Sequence, residues 1–181
     1  MDGIDLRKSS LSRIHGLPPI ENPSARILIL GSMPGEASLR AGQYYAHPQN
    51  LFWRMLGEIF GDAGDESRHD APYADRLRML KSNGIALWDV LASCVREGSL
   101  DADIASGSMQ PNDFAAFFTA HDKIERVLFN GAKAEACFRR HVAPSLEMHA
   151  IRYLRLPSTS PANASIPYTR KIAEWRVALI E

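Results

Sequence analysis

Four short apolar runs recur along the chain, and their spacing predicts a sheet of buried strands. Each run is rich in Ile, Leu or Val and lacks strict alternation of apolar and polar residues. That pattern is typical of parallel strands covered by helices on both faces. The predicted strands are Arg26–Leu30, Ile85–Val90, Glu125–Phe129 and Ile151–Leu156.

Segments with apolar residues at helical spacing separate these strands. They predict helices from Leu51 to Gly61, from Pro72 to Gly84, from Asn112 through Phe118, from Ala132 to Arg140 and from Ser165 through Leu179. Alternating strands and helices with connections of this length predict an α/β fold, a three-layer α/β/α sandwich around a central four-stranded parallel sheet. No internal repeat, low-complexity tract or linker interrupts the pattern. We therefore expect a single domain over residues 1–181.

Composition and charge exclude several classes of protein. The hydrophobic share of 45% and charged share of 23% are those of a globular protein. The 21 basic and 21 acidic residues cancel, which counts against a non-specific DNA coat but not against a local basic face. The sequence shows no secretory segment and no apolar stretch near the ~20 residues that cross a bilayer. We expect a cytoplasmic protein with no membrane contact.

The cysteines and histidines give no indication of a metal. Cys94 and Cys137 lie far apart, which excludes a four-cysteine zinc or iron–sulfur site built from this chain alone. Each is interpreted as a buried free thiol. No HExxH or HxH pair is present, so we expect neither a metal site nor a cofactor.

Unusual residues follow each predicted strand, where open parallel sheets bind their ligands. They are the turn Gly31-Ser32-Met33-Pro34-Gly35, then Asp89, then Asn130-Gly131, and last the stretch Pro157–Asn163. The carboxyl ends of parallel strands share one edge, so the four groups are predicted to form one site. The glycine turn is neither a P-loop nor a dinucleotide fingerprint, because no Gly-Lys-Ser/Thr follows it and GxGxxG is absent.

The motifs themselves resemble those of a known family. The GSMPG turn is followed by Tyr44-Tyr45-Ala46-His47-Pro48-Gln49-Asn50-Leu51-Phe52-Trp53, and Leu156–Asn163 follows the last strand. Between them stands Ala86–Leu91, with Cys94 and Arg96. This set, spread from Arg26 to Trp175, resembles the uracil-DNA glycosylase superfamily and is most similar to its hypoxanthine-DNA glycosylase branch (family six).

The resemblance implies a monofunctional DNA N-glycosylase of base excision repair. Such an enzyme flips a deaminated base out of DNA and hydrolyses its bond to the sugar. Hypoxanthine is the implied base, with uracil and xanthine as alternatives, and the implied partner is single- or double-stranded DNA bound by a monomer. The implied catalytic residues are Asn50 and Asn130, and the base-binding residues are Ser32, Met33, Phe52 and Asp89. The implied DNA-binding residues are Pro34, Gly35, Ser158, Thr159, Ser160, Pro161, Ala162 and Asn163.

Structural alternatives stay open for three of these residues. Phe52 lies on the apolar face of a predicted helix and can equally pack in the core. Asp89 can cap a helix, and Asn130 before Gly131 can have no role beyond forming a turn.

The chain also departs from its relatives at two positions, which keeps other functions open. Met33 stands where many carry an acidic residue or asparagine, and Leu156 stands where many carry a histidine. A catalytically silent nucleic-acid-binding module of the same fold is therefore the main alternative. An enzyme for a small phosphorylated ligand at the glycine turn is a more distant one.

Overall fold

The computed structural model describes residues 12–61, 71–146 and 150–181. Within these ranges the strands are β1 (Arg13–His15), β2 (Ile27–Gly31), β3 (Ile85–Asp89), β4 (Leu91–Val95), β5 (Gln110–Pro111), β6 (Arg126–Asn130) and β7 (Arg152–Leu156). The helices are α1 (Glu36–Ala41), α2 (Phe52–Phe60), α3 (Tyr73–Ser82), α4 (Phe114–Ala120), α5 (Ala132–His141) and α6 (Tyr168–Ile180). The four predicted strands and five predicted helices are confirmed to within a few residues.

The central sheet has the order β3-β2-β6-β7, and all its neighbouring strands run parallel. Its register aligns the strand ends, since Gly31 pairs with Asp89 and Asn130 pairs with Leu156. The residues that leave these strands therefore emerge at one edge. Helices cover the sheet, which confirms the predicted α/β/α sandwich.

The apolar pattern does not predict a second, smaller sheet or the short helix α1. The second sheet is antiparallel, in the order β1-β4-β5. Its central strand β4 begins at Leu91, one residue after Val90, so no helix follows Asp89. The interpretation of Asp89 as a helix cap is therefore wrong.

Aromatic side chains fill the layers on the sheet. Phe52 of α2 meets the edge of Trp175 of α6, with ring centroids 5.9 Å apart. Elsewhere Phe114 of α4 contacts Trp88 of β3 at 5.2 Å and Phe138 of α5 at 5.4 Å. Burial of such rings is the dominant favourable contribution to folding.

Two further findings bear on the class of protein. Cys94 and Cys137 are both buried and free, as predicted. No helix in the three described ranges is long and apolar enough to span a membrane.

Candidate active site

A cleft of about 870 Å³ opens at the carboxyl edge of the central sheet. All four groups of strand-exit residues line it, together with Asn50 and a loop that the motifs did not indicate, Ser99–Asp101. The structure thus brings together every predicted site residue except Phe52. In the described part of the chain, no group of three or more His, Cys, Asp or Glu side chains could hold a metal ion.

Gly31 allows two polar side chains to approach the backbone at the end of β2. A Cβ atom at this position would lie 2.2 Å from Oδ1 of Asp89 and 3.1 Å from the Tyr45 hydroxyl. Real Cβ contacts are longer than the first of these distances. Any other residue would therefore displace Asp89 from the wall of the cleft.

The loop after β4 holds the remaining residues of the glycine turn, Ser32 to Gly35. The Ser32 hydroxyl lies 2.7 Å from both carboxylate oxygens of Asp101 and donates to that carboxylate. Arg96 is buried behind the turn, where its guanidinium donates to the carbonyls of Pro34 at 2.6 Å and Gly98 at 2.9 Å. Ser32 and Met33 line the cleft as predicted, but the Ser32 hydroxyl is committed to Asp101.

Asp89 is the most perturbed acid of the cleft. Its side chain is 3% exposed, and Oδ2 makes no hydrogen bond with any described residue. Burial and, to a smaller extent, the negative charge of Asp101 raise the pKa of Asp89 to about 8, although the positive charge of Arg96 acts against both. Strongly perturbed carboxyls in a cleft are candidates for a functional role.

Tyr45 has the single positive φ among the described non-glycine residues, at 53°. Its ring stacks on Phe52 with centroids 4.0 Å apart, and Tyr45 lines the cleft while Phe52 is fully buried. Phe52 therefore supports the cleft from below, and Tyr45 is one of two tyrosines, with Tyr44, that line it. Non-glycine residues in this backbone region cluster at functional sites.

The hydroxyl of Tyr45 is buried yet makes no hydrogen bond of ordinary geometry with a described residue. Asn130 is close enough to affect its pKa, but burial dominates and, with the charge of Asp89, raises that pKa above its usual range. The phenol is therefore neutral and remains available as a hydrogen-bond donor.

Asn50 lies just before α2 and presents its amide to the cleft. Oδ1 accepts a hydrogen bond of 3.0 Å from the Phe52 N–H, which satisfies one of the unpaired donors at the start of the helix. The same bond fixes the orientation of the amide. Asn50 thus closes the turn that leads into α2 and is also a polar group of the cleft.

Asn130 binds a neighbouring loop rather than facing open space. Nδ2 donates to Thr159 Oγ1 at 2.9 Å, and Oδ1 accepts from the Thr159 N–H at 2.9 Å. Thr159 is 0% exposed, so the prediction that it contacts DNA is corrected. Asn130 also lines the cleft, and its two bonds to Thr159 fix the orientation of its amide, so its catalytic role stays a prediction.

The loop after β7 is anchored from beneath by α6. Lys171 is buried, and its Nζ donates to the carbonyls of Ser158 at 2.8 Å and Asn163 at 2.7 Å. Trp175 Nε1 donates to the Pro157 carbonyl at 2.9 Å. These bonds hold the loop over the cleft, where Ser158, Ser160, Pro161, Ala162 and Asn163 line it together with Pro34 and Gly35 of the first turn.

The rim of the cleft carries an exposed apolar side chain, Leu100, and a lysine, Lys133. Leu100 is 54% exposed, a large apolar side chain open to solvent. Lys133, in the first turn of α5, has no ion-pair partner among the described residues, whereas Arg155 pairs with Glu135 and Arg170 pairs with Glu174. The rim therefore offers one apolar projection and one unpaired cation.

Fold and cleft define an α/β protein with a polar, preformed site at the carboxyl edge of a parallel sheet. Residues 18–179 match the model of the uracil DNA glycosylase superfamily. The chain belongs to this superfamily, which confirms the resemblance seen in its motifs.

Individual relatives agree with this assignment. A hypoxanthine DNA glycosylase from Methanosarcina acetivorans is 38% identical over 160 residues, 88% of this chain and 94% of that protein. One from Methanosarcina barkeri is 43% identical over 119 residues, 66% of this chain and 72% of that protein. The solution NMR structure of a candidate uracil DNA glycosylase from M. acetivorans has a TM-score of 0.73 and 34% identity, covering 93% of this chain and 97% of that one. Family and relatives identify a monofunctional DNA glycosylase.

Proposed function

We propose that this glycosylase removes hypoxanthine from DNA by hydrolysing the bond between the base and deoxyribose, with uracil and xanthine as further candidate bases. The names of the two Methanosarcina relatives support this choice of base. The observation that carries the proposal is the fixed amide of Asn50 in the same cleft as the unpaired carboxyl of Asp89.

Asn50 is proposed to hold the attacking water. One lone pair of Oδ1 is used by the Phe52 N–H, which leaves a second lone pair and the NH2 group for a water molecule. The sugar passes through a state with oxocarbenium character, so an oriented water and well-placed charges can supply most of the rate. The reaction needs no strong base at this position.

Extrusion of the base is proposed to involve Leu100. Flipping costs a few kcal/mol, and proteins that unstack DNA often insert an apolar side chain in place of the lost neighbour. The exposed residues of the loop after β7 are all small or rigid, namely Pro161, Ala162, Ala164, Ser165 and Pro167. Leu100 is held between Ser99, which accepts a hydrogen bond from the Glu36 N–H at 2.9 Å, and Asp101, which binds Ser32.

The remaining cleft residues are proposed to enclose the base and the DNA backbone. Tyr45, whose ring is supported by Phe52, forms one wall of the base pocket, and Ser32 and Met33 form the adjacent wall. The exposed residues of the loop after β7 contact the DNA backbone. We further propose that a monomer acts in the cytoplasm on single- or double-stranded DNA.

Labelled oligonucleotides test this function directly. Duplexes that carry hypoxanthine, uracil or xanthine are incubated with the protein and then treated with alkali, which cleaves at abasic sites. The expected result is cleavage of the hypoxanthine duplex and none of a control duplex with adenine. Binding of the duplexes without release of any of the three bases would support a silent binding module instead.

A further inference from the structure

Two buried polar atoms at the wall of the cleft have no hydrogen-bond partner among the described residues. They are Oδ2 of Asp89 and the hydroxyl oxygen of Tyr45. The Asp89 carboxyl and the Tyr45 hydroxyl both lie beside the position that a Cβ atom on Gly31 would take, and both residues line the cleft. Buried polar groups in proteins are nearly always paired, so two unsatisfied groups beside a cleft indicate a ligand-binding site.

Asp89 also forms no ion pair with any residue of the described ranges. Arg96 is the cation whose charge acts on it, but that guanidinium donates to two backbone carbonyls and forms no ion pair with Asp89. The other groups that face the carboxyl are Asp101, whose charge repels a second anion, and the phenols of Tyr44 and Tyr45. An unpaired carboxylate is costly to bury, so this environment favours the protonated acid.

On the opposite edge of the sheet, Leu156 ends β7 and is buried at the wall of the cleft. A leucine has no hydrogen-bond donor to offer. A purine that leaves with the electron pair of its bond to the sugar carries negative charge on its ring and on O6, and such charge is stabilised by positioned donors.

We propose that Asp89 acts as a neutral carboxylic acid which, with the Tyr45 hydroxyl, donates hydrogen bonds to the leaving base. This inference rests on the proposed glycosylase function. The bond between C1′ and N9 breaks with its electron pair going to the base, and water oxygen forms the new bond to C1′. The proton lost by the water reaches the base through solvent, and Asp89 keeps its own.

The arrangement gives a chemical reason for preferring hypoxanthine. Hypoxanthine carries a carbonyl oxygen at C6, which accepts a hydrogen bond from the acid as charge develops. Adenine carries an amino group there, which cannot accept one. Donors aimed at O6 therefore stabilise the departure of the deaminated base and not that of its parent.

The test is the pH dependence of single-turnover hypoxanthine release by the parent and by Asp89→Asn, Asp89→Leu, Tyr45→Phe and Asp103→Asn. The parent rate should fall above pH 8, tenfold for each unit, as Asp89 ionises with its pKa of about 8. Asp89→Asn keeps a donor that does not ionise, so its rate should stay within tenfold of the parent at pH 7 and should not decline above pH 8.

The other variants separate the two donors. The release rate of Asp89→Leu should be at least a hundredfold below that of the parent, equivalent to ~2.7 kcal/mol. The rate of Tyr45→Phe should be about tenfold lower, equivalent to ~1.4 kcal/mol, and should still decline above pH 8. Asp103→Asn, at an exposed acid of the neighbouring loop, should match the parent.

Several outcomes would overturn the inference. They are a rate that rises through pH 8, a parent profile that is flat, or a decline that Asp89→Asn shares with the parent, which would belong to the substrate. Carboxyl ¹³C NMR of the parent protein supplies a second readout, which depends neither on activity nor on the folding of Asp89→Leu. The Asp89 resonance should titrate near pH 8 and not near pH 4. If the parent releases no hypoxanthine at any pH, the proposed function fails; release with a flat profile refutes only the role of Asp89.

Discussion

Asn130 and Thr159 exchange two hydrogen bonds of 2.9 Å, one in each direction. The Thr159 carbonyl accepts a third bond of 3.0 Å from the Leu51 N–H. These contacts connect the end of β6, the loop after β7 and the start of α2, where Asn50 lies. The pair therefore sets the position of the amide that is proposed to hold the water.

Breaking the Asn130–Thr159 pair should slow base release whichever of the two residues is mutated. Asn130→Ala removes both bonds and should lower the free energy of unfolding by about 1–3 kcal/mol. Thr159→Val removes the hydroxyl alone and should slow single-turnover release in the same direction but by less. Asn130→Asp serves as the conservative control, because its carboxylate can accept hydrogen bonds from both the N–H and the hydroxyl of Thr159. Loss of release in Asn130→Ala with parental rates in Thr159→Val would instead place Asn130 in contact with the substrate.

The raised pKa of Asp89 predicts an unusual dependence of stability on pH. The folded pKa is about 8 and the ordinary value is 3.8, so between these values the folded state binds more protons than the unfolded state. Stability should therefore fall as pH rises through this window, by at most about 1.4 kcal/mol per pH unit. Asp89→Asn should match the parent below pH 4 and exceed its melting temperature at pH 7 to 8. Equal melting temperatures of the two proteins at pH 8 would show that the carboxyl is not destabilised by burial.

Leu100 should matter for duplex substrates and not for single strands. Leu100→Ala should slow release from hypoxanthine in a duplex by about tenfold, equivalent to ~1.4 kcal/mol, because the vacated stack is left unfilled. Val177→Ala is the matched control, since Val177 on α6 is 53% exposed and does not line the cleft. Leu100→Met should restore most of the rate. An equal loss on single-stranded substrate would show that Leu100 acts within the cleft and not on the stack.

Lys133 should supply a phosphate contact despite the net charge of zero. Lys133→Ala should reduce the slope of log affinity against log salt by about one. Lys123→Ala, at an exposed lysine outside the cleft, should leave the slope unchanged. If both variants keep the parental slope, the phosphate contacts lie elsewhere on the rim.

The parts of the fold that local pattern determines were predictable. Parallel strands covered on both faces read as apolar runs, and their shared edge follows from topology, which is why the strand-exit residues could be assigned to one cleft. The antiparallel sheet was missed because β1 and β4 pair across some 80 residues of sequence, as Arg13 with Val95, and both are short. Pairing at that separation is decided by tertiary contacts that a local pattern does not contain.

The roles of individual side chains were harder to predict for a similar reason. Tyr44 and Tyr45 are neighbours that both line the cleft, yet the Tyr44 hydroxyl donates to the carbonyls of Leu17 and Pro18 while the Tyr45 hydroxyl has no partner among the described residues. Only the backbone conformation separates them. Lys171 did leave a signal, because it shares a helical face with Trp175, four residues later. Leu100 and Asp101 left none beyond their place in a polar loop.

The central claim is that the Asn50 amide holds the water that attacks the sugar when hypoxanthine is released. Its most direct test is single-turnover release from a hypoxanthine duplex by the parent, Asn50→Ala and Asn50→Ser. Serine can keep the hydrogen bond to the Phe52 N–H but lacks the amide, so it separates capping from chemistry. The account predicts at least a hundredfold loss in both variants, equivalent to ~2.7 kcal/mol, with duplex binding retained and a normal melting temperature for Asn50→Ser. Parental release by Asn50→Ser would contradict the account and leave Asn50 as a helix cap alone.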